Sequence, residues 1–175
     1  MQKQIDFLLR GASVRRFHTI PVVLGETTGH HSAIVAGLLL LLWPERMTVP
    51  LLRYAILHDS AEFVTGDIPS PVKRAIDRAP LDRFEKSVYE DWGINMQELS
   101  PEDRKIFKFA DNLAGIATCT GEMRAGNTHL LEACSNFLSY FLASYDPVAD
   151  GPRPGQALDS ILNRLPIYLR ELITY

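Results

Sequence analysis

Cysteine is scarce in this chain: two residues, Cys119 and Cys134, in 175. Neither has a CxxC partner or a metal-ligand spacing, which argues against a disulfide-stapled scaffold and a thiolate-ligated metal; both fall in helical patterns and read as buried free thiols. Positive charge is not in excess either. The formal net charge is -3 and the pI about 5.9, so no nucleic-acid polymer and no anionic membrane is expected as a partner, and an anionic ligand must meet a local cluster of cations. Long apolar runs are missing as well. The strongest, Ala33 to Trp43, is shorter than the roughly 20 residues a membrane helix needs. The opening MQKQIDFLLRG lacks the apolar core and small-residue cleavage site of a secretory signal and reads as a short amphipathic helix. Strand-like alternation, internal repeats and low-complexity tracts are also absent.

What is present suits one domain, residues 1–175, with 46% hydrophobic and 22% charged residues. Helical periods dominate, so the expected fold class is all-α, a soluble helical bundle with a core over about 16–144 and a last helix over about 156–173. Ser13 to Thr28 reads as an ordered but irregular connection. Thr27 or Thr28 then caps a helix, buried on most sides, that Pro44 stops after Trp43. Thr48 and Pro50 open the next helix, expected to end near Thr65-Gly66. Pro69-Ser70-Pro71 reads as a rigid turn with Ser70 as cap and Pro71 at the first helical position. Leu81 to Trp92 is an amphipathic helix with Phe84, Val88 and Trp92 on one side. Ser100-Pro101-Glu102-Asp103 starts a helix running to about Arg124, whose Ala110, Ala114, Gly115 and Ala117 admit a close neighbour. A further helix spans Thr128 to Ser144, and the proline- and glycine-rich stretch 145–155 precedes a last helix kinked by Pro166.

The chemistry concentrates in AILHDSAEFVTGDIPSPVK, residues 55–73. His58, Asp59, Glu62 and Asp67 fall among apolar neighbours, and ionisable groups in such surroundings need a partner or a cation. His31, His58, Asp59 and, farther on, Asp111 are the candidate metal ligands. Imidazole and carboxylate suit cobalt, zinc, manganese or iron better than calcium, and magnesium remains a candidate. Two nitrogens and two carboxylates leave coordination positions open for water and substrate. Glu62, three and four residues beyond the pair, overhangs it and is the candidate general acid/base. The same spacing also fits a structural His-Asp pair with a separate buried carboxylate.

The order His31-Ser32, His58-Asp59, Asp111 resembles the H...HD...D signature of the HD-domain metal-dependent phosphohydrolases. HDSAEFVTGDIPSPVK, together with Arg16-Phe17, resembles the 5'-deoxynucleotidase branch and its phage dATP triphosphohydrolase relatives over roughly residues 16–127. The resemblance implies that His31, His58, Asp59 and Asp111 hold the ion, that Glu62 is the catalytic carboxylate, and that Asp67 lies near the sugar, where a hydrogen bond to the 3'-hydroxyl favours deoxyribose. It places Arg16, Lys73 and Lys108 on phosphate and Pro71 near the base. Two positions depart from the pattern: His30 stands where a glutamate often precedes the first ligand, and Phe17 where tryptophan is usual. His30 is therefore a competitor for the ion, and base preference is open. Phe17 fits the core as well as a stacking platform, Lys108 could simply pair with Asp111, and His18 and His129 read as surface or capping residues.

The resemblance and the residues imply an enzyme that hydrolyses the 5'-phosphoester of a deoxynucleotide, with dATP to deoxyadenosine plus triphosphate the leading reading. A 5'-deoxynucleotidase acting on dNMPs is the near alternative, and a non-catalytic nucleotide-binding HD module the alternative of another class. Self-association and a location in bacterial or phage-infected cytoplasm are further expectations.

Overall fold

The computed structural model describes residues 1–173. The all-α expectation holds: helices account for nearly all regular structure among the described residues. The first helix, α1 (Gln2–Ala12), places Phe7 at full burial. A two-residue antiparallel ladder follows, β1 (Arg15–Arg16) against β2 (Glu26–Thr27), and fixes the ends of the irregular stretch anticipated there.

Side-chain caps then set where the helices start. Thr27 accepts from the His30 N–H and opens α2 (Thr28–Leu42); Thr48 accepts from Leu51 and opens α3 (Val49–Leu57). After a single-turn α4 (Ser70–Ala75), Asp77 caps α5 (Arg78–Asp91), and Ser100 accepts from Asp103 to open α6 (Pro101–Arg124). The chain ends with α7 (Leu131–Ser144), α8 (Arg153–Leu162) and α9 (Ile167–Ile173).

Several expectations need correction. The leucine run of α2 is not buried on most sides, because Leu40 and Leu41 face solvent at 50% and 77% exposure. Ser70 is not a cap: Pro69 occupies the cap position, and Ser70 and Pro71 are already helical. Phe84 points outwards on α5 while Val88 is buried. Pro166 does more than kink the last helix; with no N–H to donate, it separates α8 from α9.

One core packs α2, α3 and α6 with the later helices, centred on Val35, Leu39, Leu51, Leu113 and Phe141. The close approach of α6 and α7 depends on Gly115, where an added Cβ would lie 2.8 Å from the Phe137 ring. Cys119 and Cys134 are free and buried in this core; hydrogen bonding with Cys134 and burial push the Cys119 thiol well up. A second, smaller core of Phe7, Ala61, Val88, Tyr89 and Ile94 lies beneath the His-Asp segment. Among the described residues no helix is long and apolar enough to cross a membrane.

Candidate metal and nucleotide site

The helix that carries the His-Asp pair stops at the pair itself. His58 is the C-cap of α3, and Ser60–Phe63 continue as a 3-10 turn in which the Glu62 N–H donates to Asp59. This corrects the expectation of one helix to Thr65-Gly66, and Glu62 is therefore not one α-helical turn beyond His58. The tighter turn tucks Glu62 inwards, to 3% exposure. Two contacts hold the break. The Tyr89 hydroxyl reaches the carbonyls of Leu57 and His58 at 2.6 and 2.8 Å and accepts from the Ala61 N–H. On the other side α1 packs so closely that a Cβ on Gly11 would lie 2.6 Å from Ser60 Cβ.

His31 on α2, His58 at the end of α3 and Asp111 on α6 converge so that one donor atom from each lies within 4.8 Å of the others. Asp59 joins them through His58, its Oδ2 being 3.1 Å from Nε2. The His58 Nδ1–H donates to the Ala55 carbonyl at 3.0 Å, which turns Nε2 towards Asp59; burial works against the charged ring, but Asp59 pushes its pKa up. Nε2 has no hydrogen-bond geometry to any partner and His31 Nδ1 is equally orphaned, both buried. A buried ring nitrogen without a hydrogen-bond partner beside a carboxylate suits a cation between them, and the imidazole-carboxylate set fits a divalent transition metal. Burial works against the Asp59 carboxylate, but His58 and Arg16 hold its pKa below the usual range. Burial likewise opposes Asp111, and Lys108 with His31 holds it well below. Both carboxylates are thus charged and ready to bind a cation.

Around this cluster the substrate candidates face a cavity of about 740 Å³, reached by Arg16, Phe17, Asp67, Pro71, Lys73 and Lys108. Asp111 also reaches the cavity wall. Lys73 donates to Glu62 Oε1 at 2.8 Å, while Glu62 Oε2 is buried without a partner. Burial first, and Asp59 second, push the Glu62 carboxyl up to about 8 despite Lys73. Lys108 does pair with Asp111, at 3.0 Å, yet remains largely exposed to the cavity. Phe17 adopts a left-handed φ of 54°, strained for a residue with a Cβ. Its N–H donates to Asp67 Oδ2 at 3.1 Å, so Asp67 fixes the turn that aims the ring.

Sequence reading missed the residues that brace this wall. Glu26, buried, accepts from Thr118 and lies 3.5 Å from Arg16 Nε, while Arg16 Nη1 stays buried without a partner. The Glu122 carboxylate accepts from the N–H groups of Val23, Leu24 and Gly25, and Asn127 ties it to Pro21. Thr118 lies 92 residues from Glu26, and Glu122 and Asn127 bond backbone groups 97 to 106 residues away, beyond any helical or strand period, so no local signal marks these contacts. His30 is exposed and lines a second cavity with Arg15, Val22 and Glu26, whose lining includes none of His31, His58, Asp59 and Asp111. His18 and His129 are exposed too, but both line the larger cavity.

No family model matches the chain. A 5'-deoxynucleotidase of Vibrio vulnificus is 27% identical over 175 residues, covering 80% of this chain and 90% of that one. One from an Enterobacter strain is 32% identical over 97 residues, 46% of this chain and 49% of that protein. Among solved structures, the HD phosphohydrolase of cyanophage S-2L bound to dA and one catalytic Zn2+ ion superposes with a TM-score of 0.56. It is 16% identical, and the match covers 97% of this chain and 91% of that one; at that identity the likeness speaks for the fold. On architecture and relatives together, the chain has the fold of an HD phosphohydrolase and is similar in sequence to 5'-deoxynucleotidases.

Proposed function

We propose that the chain, as one domain, hydrolyses the 5'-phosphoester of a deoxynucleoside triphosphate, dATP first, to deoxyadenosine and triphosphate. The observation that carries this reading is the charge of the cavity. Arg16, Lys73 and Lys108 are joined on its wall by Arg74 and Arg78, more cations than a monophosphate requires and suited to three linked phosphates. The cyanophage protein named above, with dA bound, supports an adenine deoxynucleoside as product.

His31, His58, Asp59 and Asp111 hold the divalent ion in this reading, with cobalt, zinc or manganese favoured and magnesium a further candidate. When bound, such an ion draws charge from a phosphoryl oxygen and lowers the pKa of a coordinated water. The remaining work falls to the chain. Arg16, braced by Glu26, presents its unpartnered Nη1 to the α-phosphate; Lys73 and Lys108 offset charge on the bridging and terminal oxygens. Glu62 Oε2 takes the proton of the attacking water and returns it to O5' as the P–O5' bond breaks. Asp67 accepts from the 3'-hydroxyl, Phe17 offers a ring to the base, and Pro71 lies at its edge. Self-association in the bacterial or phage-infected cytoplasm belongs to the same reading, supported by the exposed apolar Leu40, Leu41 and Val49.

Product analysis tests it. Purified protein with Co, Mn, Zn or Mg is offered dATP and dAMP separately, and products are resolved by chromatography. Deoxyadenosine with intact triphosphate is the expected result. Turnover of dAMP alone makes the chain a 5'-deoxynucleotidase, and binding without any turnover makes it a nucleotide-binding module.

A further inference from the structure

Arg16 has more carboxylates around it than it can serve. Burial opposes its charge, and Asp59, Glu26, Asp111 and Asp67 more than offset that. Asp59 and Asp111 belong to the ligand cluster, and Asp67 holds the Phe17 turn. An arginine stem is long and flexible, so a guanidinium left to itself is drawn onto the ligand carboxylates. Glu26 stands against that. It lies directly across the β1–β2 ladder from Arg16, on the same face of the ribbon, with Oε2 3.5 Å from Nε. A contact at Nε holds the stem and leaves the far end of the guanidinium, where Nη1 is buried without a hydrogen-bond partner, for a ligand to meet. Glu26 needs a hold of its own. Its side chain is 1% exposed, yet Oε2 makes no hydrogen bond to any described group. The hydrogen bond that fixes the carboxylate falls on the other oxygen, where the Thr118 hydroxyl of α6 donates to Oε1. Thr118 lies two turns beyond Asp111 on that helix and belongs to the lining of neither the large nor the second cavity. Any effect it has on a ligand therefore passes through Glu26 and Arg16.

We infer that Thr118 and Glu26 are positioning residues through which α6 sets Arg16 for the phosphate nearest the sugar, an inference that rests on the nucleotide phosphohydrolase reading above and deepens it. The Thr118 hydroxyl turns the Glu26 carboxylate so that Oε2 faces Nε. Glu26 then keeps the guanidinium off Asp59 and Asp111, and Nη1 is left for a phosphoryl oxygen. A phosphate that meets a guanidinium already in place does not have to still it on binding. Monophosphates and triphosphates share the phosphate next to O5', so this relay acts alike on both. Serine keeps the hydroxyl and can stand in for Thr118; valine keeps the branched shape without the donor and cannot.

A double-mutant cycle tests it. Zinc-loaded wild type, Thr118→Val, Thr118→Ser, Arg16→Ala and the double variant Thr118→Val with Arg16→Ala are titrated calorimetrically with dAMP and with deoxyadenosine, and kcat/KM is measured for dATP and dAMP. The ratio of the two affinities isolates the share of the phosphate. Thr118→Val is expected to lower that ratio, and kcat/KM for whichever nucleotide is cleaved, by about tenfold, with deoxyadenosine affinity and bound zinc unchanged. Thr118→Ser should recover most of the loss, and Thr118→Val should cost nothing further once Arg16 is alanine. Glu26→Gln, which keeps the size but not the charge facing Nε, supplies the same cycle should Thr118→Val fail to fold. Losses that add in the double variant overturn the inference, as does a Thr118→Val protein that prefers dAMP to deoxyadenosine as strongly as wild type, or a wild type with no such preference. If neither nucleotide is cleaved while the ratio still falls with Thr118→Val and only in the presence of Arg16, the hydrolase reading falls and the positioning role stands.

Discussion

Glu62 sits between opposing influences: Lys73 stabilises its anion at 2.8 Å, and burial with the Asp59 charge disfavours it. A group balanced in this way suits a role in moving a proton, since its two forms differ little in free energy near neutral pH. Replacement by glutamine keeps the shape and the Lys73 contact but cannot exchange the proton. Glu62→Gln is expected to lower kcat by about 10²- to 10⁴-fold while nucleotide binding changes little, as steady-state kinetics and calorimetry on one preparation will tell. Equal loss of binding and turnover would instead mark Glu62 as part of the binding surface. At this scale much was legible in advance. The adjacency of His58 and Asp59 within an apolar run, and the isolated Asp111, flagged residues that do converge. The orphaned Nε2 of His58 and Nη1 of Arg16 were not legible, because an unmet hydrogen bond is a property of the folded surroundings.

The break after α3 decides what the His-Asp segment can do, since a continued helix would carry Glu62 past the cluster. The sequence hides that break. Leu57, Phe63 and Val64 keep the apolar spacing of a helix, and the residue that enforces the change of pitch, Tyr89, lies on α5. By contrast the caps at Thr27, Thr48 and Ser100 act within three residues and were read directly. Tyr89→Phe removes the hydroxyl that meets two carbonyls and the Ala61 N–H, leaving buried backbone groups unsatisfied. The expected cost is about 1–3 kcal/mol, seen as a melting temperature lower by several degrees, with far-UV helicity retained and bound metal per chain reduced. A variant that melts earlier yet holds metal as tightly would show that the 3-10 turn persists without the tyrosine.

For the whole molecule, three carboxylates near one centre make stability depend on pH and on a bound cation together. Glu62 has a folded pKa of about 8 against an ordinary 4.5, so the folded state retains a proton that the unfolded chain has released. That contribution is complete below about pH 4.5 and is lost as pH rises towards 8. Metal-free wild type should therefore lose melting temperature between pH 5 and 8 more steeply than Glu62→Gln, and a divalent ion should flatten the wild-type curve by offsetting the charge on Asp59 and Asp111. Calorimetric scans with and without chelator test both parts; parallel curves for the two proteins would place the pH dependence elsewhere.

Lys108, Asp111, Thr118 and Glu122 recur along α6 at helical spacing. Through them one helix touches the large cavity at Lys108, the histidine-carboxylate cluster, the Glu26 brace of Arg16 and the loop beyond Phe17. From Asp111 to Glu122 is about three turns, close to a whole number, so the two point the same way. α6 therefore works as a ruler laid beside the cavity. When the bundle breathes, Asp111 and the loop held by Glu122 ride on the same rigid rod, and the gap between them is the separation least disturbed by the motion of the other helices.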